Sequence, residues 1–346
     1  MADSSKLFRI GVLAAALLAA ASLTIVLWGS SGAEPAAAAS STIKSKDYSV
    51  ETKDGVSIHV SEKVLRSGGT KKVPILLVHS LWTNSHTWDF PDRSVMNYLA
   101  TNGYDVYALD LRGMGDSERP VPPDDYNTIG LLDRVKDLEA VASFIKERHK
   151  RPPVVLGYSQ GGALTGVLAA SRPKLVSGVG LFSVPANGFF VPPEFDPLVD
   201  YLITSGEDHF LPSPDQLYFL DFGFDPVTGR PTISDAAFRT HYSMSEEDSV
   251  RAILELASPE DTAYATFYQD NITPSWSQIE APALVVNGAL DPTVGEERAR
   301  ALYDALGSEN KDLIIFNQNA HAWFLEDNYQ ATQSQAFDEF LEQFDE

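Results

Sequence analysis

Short apolar runs at residues 73–78, 154–157, 176–182 and 283–287 constrain this chain more than any other feature. They lack the polar alternation of a half-exposed strand, which is expected of strands buried on both faces. Further strands fit residues 105–110 and 312–316. Helical periodicity lies between them, at 88–102, 131–149, 161–172, 296–306 and from about 328 onward. Two strands at 48–52 and 56–64 flank Lys53-Asp54-Gly55, which reads as a hairpin turn. An antiparallel start followed by repeated strand–helix units implies an α/β fold, with a mostly parallel central sheet flanked by helices.

Residues 187–276 break this rhythm. They hold 15 aromatic residues and several prolines, including Pro192-Pro193. The segment is too long and too apolar for a plain loop, so it reads as a mostly helical lid or cap insertion. The expected organisation is a leader at 1–41, a core at 42–186, the lid at 187–276 and the rest of the core at 277–346.

In the leader, Lys6 and Arg9 precede an uncharged, mostly apolar run from 10 to 28. As a helix this run would span about 28 Å, close to the hydrocarbon thickness of a bilayer. An Ala/Ser-rich tract follows, with Ala37-Ala38-Ala39 as a candidate cleavage site. A cleaved signal peptide and an uncleaved anchor both fit, and both place the body outside the cytoplasm, secreted or tethered. Membrane contact is expected only through this segment, and only if it stays attached. The oligomeric state is not legible.

The net charge is −22 over 346 residues. Charges in the leader cancel, so the excess sits on the body. Such a surface repels phosphate backbones, which argues against nucleic-acid binding. Cysteine is absent, which excludes disulfides, thiolate nucleophiles and cysteine-ligated metals. Nothing in the sequence calls for a metal or an organic cofactor.

One strand end carries chemistry. Gly157-Tyr158-Ser159-Gln160-Gly161 is a G-x-S-x-G run between an apolar strand and a small-residue helix. A sharp strand-to-helix turn there would lift the Ser159 hydroxyl out of the fold. It would also aim the helix N-terminus at negative charge forming on a bound molecule.

The order of elements and this turn resemble the α/β-hydrolase superfamily, in its serine esterase/lipase-like branch. The resemblance implies Ser159 as nucleophile, Asp291 after the penultimate strand as the acid, and His321 after the last strand as the base. Glu296 is the rival carboxylate. The slot after strand 176–182, where some relatives carry the acid, reads Ser183-Val184-Pro185. The oxyanion hole is expected from the backbone N–H groups of Gln160 and Leu81, although Ser80 stands where the family usually has glycine. His79 is expected to brace that loop. Asp110-Leu111-Arg112-Gly113-Met114-Gly115-Asp116-Ser117 resembles a scaffold loop of the family. Trp82, Tyr158, Phe189, Phe190 and Trp323 are candidates for the substrate pocket.

These expectations point to a serine hydrolase that cleaves a carboxylic ester of an apolar or lipid-like small molecule. Lactonase, thioesterase, C–C hydrolase, acyltransferase and perhydrolase chemistry remain open. A ligand-binding protein with a hydrolase pocket and a membrane-tethered interaction module are readings of another class.

Overall fold

The computed structural model describes residues 42–66, 72–80, 83–119, 131–184, 186, 222, 231–244 and 276–345. All belong to the unit Ala36–Glu346. The leader, Leu81, Trp82, Phe189, Phe190 and most of the expected lid lie outside the described residues. Among the described residues no helix is long and apolar enough to cross a membrane.

Eight strands form one sheet in the order β1-β2-β4-β3-β5-β6-β7-β8. The hairpin comes first, as β1 (Ile43–Glu51) and β2 (Ser57–Leu65), and β2 pairs antiparallel with β4 (Val106–Leu109). From β4 onward every pairing is parallel, through β3 (Ile75–Val78), β5 (Val154–Tyr158), β6 (Gly178–Phe182), β7 (Ala283–Gly288) and β8 (Lys311–Phe316). Each residue of β3 to β7 is buried, as continuous apolar runs require, while β1 and β8 close the sheet with partly exposed edges.

Alternate side chains of the central strands feed two cores, one on each face. Leu76, Val78 and Val155 pack under α2 (Leu131–His149) and α3 (Gln160–Ser171). Ile75, Leu77 and Leu156 pack with α1 (Val95–Thr101) and α6 (Tyr329–Glu342). Each such side chain contributes roughly 1.5–3 kcal/mol through burial. Helix α4 (Asp235–Ser243) lies in the insertion, and α5 (Gly295–Ala305) links β7 to β8.

Helix α1 corrects one expectation. Periodicity suggests a helix over 88–102, yet it begins only at Val95, after a 3-10 turn at Ser85–Thr87. Pro91 disfavours helical backbone at Phe90, and Asp92 takes a left-handed φ of 64°. Ser94 then starts the helix by accepting the Asn97 N–H at 2.9 Å.

The sheet also fixes where a site can form. Strand order runs outward from β3 to β4 and then reverses to β5 on the other side. Ligand sites of open α/β sheets lie beyond the strand carboxyl ends at such a reversal. The loops after β3 and β5, with Ser80 and Ser159, meet there.

Candidate active site

Strand β5 ends at the site. Its last residue, Tyr158, pairs in register with Phe182, and the Ser159 N–H continues the ladder to the Phe182 carbonyl at 2.8 Å. The backbone then turns abruptly, with φ 54° and ψ −119° at Ser159. A non-glycine residue in this region costs on the order of 1–3 kcal/mol. Steric room explains the flanking glycines. A Cβ on Gly157 would stand 2.5 Å from Thr165 Oγ1 and overlap the Gly161 carbonyl. On Gly161 it would overlap the backbone carbonyls of Val78 and His79.

The Ser159 carbonyl starts helix α3, accepting from Gly162 and Ala163 at 3.0 and 3.2 Å. Its side chain does not cap that helix, although a serine at this position ordinarily does. Instead Oγ lies 3.0 Å from His321 Nε2. The hydroxyl is thus withheld from the local backbone and directed to an imidazole 162 residues away.

His321 bridges to Asp291. Its Nδ1 stands 2.8 Å from Asp291 Oδ2. Asp291 Oδ1 already accepts the Thr293 and Val294 N–H groups at 2.8 and 2.9 Å, which fixes the carboxylate plane. A carboxylate only accepts, so Nδ1 carries the hydrogen and Nε2 is left to accept from Ser159. Ser159, Asp291 and His321 are all buried. Glu296, the rival acid, instead pairs with Arg300 in the first turn of α5.

On the other flank, Gln160 opens α3, and its N–H belongs to the first turn, whose donors lack intrahelical partners. Its side-chain oxygen accepts from buried Arg134 at 2.8 Å. His79 Nε2 accepts the Leu111 N–H at 3.0 Å, while its Nδ1 lies 2.6 Å from the Ser80 carbonyl. Full burial holds this ring neutral, with its pKa pushed down to about 4. His79 therefore ties the loop after β3 to the loop after β4. Leu81, the expected second donor, lies outside the described residues.

The alpha/beta hydrolase family matches residues 75–333, from β3 into α6. The chain belongs to that family. The chain is 26% identical over 275 residues to the poly(3-hydroxyalkanoate) polymerase subunit PhaC of Haloferax mediterranei, covering 70% of this chain and 53% of that protein. It is 31% identical over 147 residues to an epoxide hydrolase of Caballeronia sordidicola, covering 40% and 37%. In these matches the chain spans about half or less of the curated relative's length. The solved enol-lactonase of Burkholderia xenovorans shares the fold at TM-score 0.62 and 20% identity, covering 85% of this chain and all of that one.

Two of the pocket candidates are buried among aromatic neighbours. Trp323 is fully buried among Phe182, Phe316, Phe324 and Phe337. Tyr158 lies inside the core, 5.1 Å from the His321 ring and edge-on to Phe324. For Tyr158 this follows from chain direction, since a residue next to the outward-turning Ser159 points back inward. Trp82, Phe189 and Phe190 lie outside the described residues. Within the insertion, Phe222 packs edge-on against Phe238 and His241, as expected of a segment with its own core.

The structure also adds residues to the site. Ser183 Oγ donates to the His321 carbonyl at 2.6 Å, from a backbone held at φ 53°. This strand end was expected to carry no acid, and here its serine holds the His321 main chain. Glu326 is fully buried behind the same loop. The Asp110 loop is scaffold, because Asp110 accepts the Ser85 and Asp116 N–H groups at 2.7 and 3.1 Å. Among the described residues, His59/Asp110/Asp116 and Glu62/Asp105/His149 are grouped closely enough for a metal ion. Each group is engaged internally, through the His59–Asp110 bond and through Tyr107 Oη.

Proposed function

We propose that this hydrolase cleaves carboxylic esters through an acyl-enzyme on Ser159. The observation that carries the reading is the continuous Asp291–His321–Ser159 hydrogen-bond chain, at 2.8 and 3.0 Å. Ser159 Oγ attacks the ester carbonyl while His321 Nε2 takes its proton. Asp291 keeps the imidazole in the Nδ1–H form and stabilises its cation. The Gln160 N–H, with one from the loop after Ser80, stabilises the tetrahedral oxyanion. His321 then protonates the departing alcohol, and water releases the acyl group by the reverse sequence.

The substrate is a small, apolar ester. The aromatic content of residues 187–276 supports an apolar partner. The enol-lactonase likeness is compatible with a cyclic ester, which is opened by the same steps. We place the enzyme outside the cytoplasm, because Lys6 and Arg9 precede the apolar run 10–28.

The test uses a fluorophosphonate probe and a series of 4-nitrophenyl esters. The protein should label and turn over esters, and Ser159→Ala should lose both. Loss of the nucleophilic hydroxyl alone typically costs about 10⁶-fold in kcat, as much as loss of the whole triad. Turnover that survives in Ser159→Ala would overturn the assignment.

A further inference from the structure

Behind His321 lies a carboxyl that the proposed reaction does not use. Glu326 has no exposed surface. Its Oε1 accepts the Ala320 N–H at 2.7 Å, one residue before His321. Its Oε2 accepts from Asn319 Nδ2 at 3.0 Å, and the Thr232 side chain also hydrogen-bonds to it. A buried acid is costly unless hydrogen-bonded, and these bonds all go to the His321 loop or to the insertion.

Asn319 extends the arrangement to the acid. Its carbonyl accepts the Leu290 N–H at 2.9 Å, next to Asp291. Its amide pairs both ways with Asn328, at 2.6 and 2.9 Å. The loop bearing His321 is therefore gripped in front by the triad and behind by Glu326.

The neighbouring residue binds the insertion. The Asp327 N–H donates to the Thr232 carbonyl at 3.1 Å, and Asp327 Oδ1 accepts the Ser234 N–H at 3.0 Å. Arg93 anchors the same carboxylate at 3.2 Å. Residues 232–234, which lead into α4, thus dock onto Glu326 and Asp327. Burial raises the Glu326 pKa to about 8. The hydrogen bonds from Ala320, Thr232 and Asn319 oppose that rise by favouring the carboxylate.

We propose that Glu326 is a positioning residue that fixes the main chain before His321, and makes the reach of the imidazole to Ser159 depend on the docking of residues 232–234. The proposal rests on the Ser159–His321–Asp291 reading above.

Glu326→Ala, Glu326→Gln and Thr232→Val test it in the full-length protein. The readouts are kcat and KM on a 4-nitrophenyl ester, fluorophosphonate labelling rate and urea midpoint. Glu326→Ala should lower kcat and labelling about 10- to 100-fold with KM nearly unchanged, because the imidazole is displaced and the acyl site is not. Glu326→Gln keeps an acceptor for Ala320 and should recover most of that loss. Thr232→Val should lower kcat by about threefold or more, again without raising KM. A folded Glu326→Ala protein with wild-type kcat overturns the proposal, as does Glu326→Gln no better than alanine. If the alanine variant does not fold, Thr232→Val decides, and wild-type kcat there overturns the link to the insertion. Turnover in Ser159→Ala would sink the underlying triad and this proposal with it. Normal Ser159 labelling in Glu326→Ala sinks only the positioning role.

Discussion

At the scale of single residues, His79 does its work by staying uncharged. Its ring accepts at one nitrogen and holds Ser80 with the other. The ordinary imidazole pKa of 6.5 falls to about 4 because burial penalises the cation. A depressed histidine pKa contributes stability that is fully present above 6.5 and is lost as pH falls toward 4, because the unfolded chain takes up the proton first. The loss amounts to roughly 3 kcal/mol. Urea unfolding of the wild type and His79→Gln should therefore show a stability gap that narrows between pH 7 and pH 4.5. A gap that stays constant would mean that the ring is solvated. The positions of Ser159, Asp291 and His321 were legible because strand ends place them, and strand ends follow from apolar runs. Ser183 and Glu326 were harder to see. Ser183 acts through its conformation, which sequence does not display. Glu326 did leave a signal, as the first of two acids that close the apolar run Trp323-Phe324-Leu325. The burial of Trp323 was not legible, because an aromatic near a histidine says nothing about which way its ring turns.

At the scale of elements, the elbow is a contact between backbones. Helix α3 begins so close to the end of β3 that Gly161 meets two carbonyls directly. Backbone cannot swing aside as a side chain can. Gly161→Ala should cost at least about 2–3 kcal/mol, as overpacking of a rigid site does. Gly55→Ala is the control, since a methyl there meets nothing within 4 Å and faces only the strain of φ +86°. That change should cost about 1 kcal/mol. Denaturant midpoints compare the two, and equal losses would show that the close approach is not what requires glycine at 161. The same contrast explains which boundaries were readable. Strands β3 to β7 are buried on both faces, so their runs stand out. Helix α1 starts late because Pro91 and Asp92 act locally, against a periodicity that extends across them.

At the scale of the whole molecule, the charge of −22 acts against compactness. Self-repulsion falls as salt shortens the screening length, from about 30 Å at 0.01 M to about 3 Å at 1 M. The thermal midpoint should rise by at least about 3 °C between low and moderate sodium chloride. Calorimetry across a salt series checks this. A gain seen only with molar sulfate would point to solute exclusion instead of screening. The left-handed serine at the elbow carries a different consequence. With Ser159 as the proposed nucleophile, it makes durability and usefulness rivals at one position, since glycine would sit in that turn with less strain. Breeding this protein for heat resistance alone would favour sturdy, silent descendants, so any such selection has to keep watch on turnover.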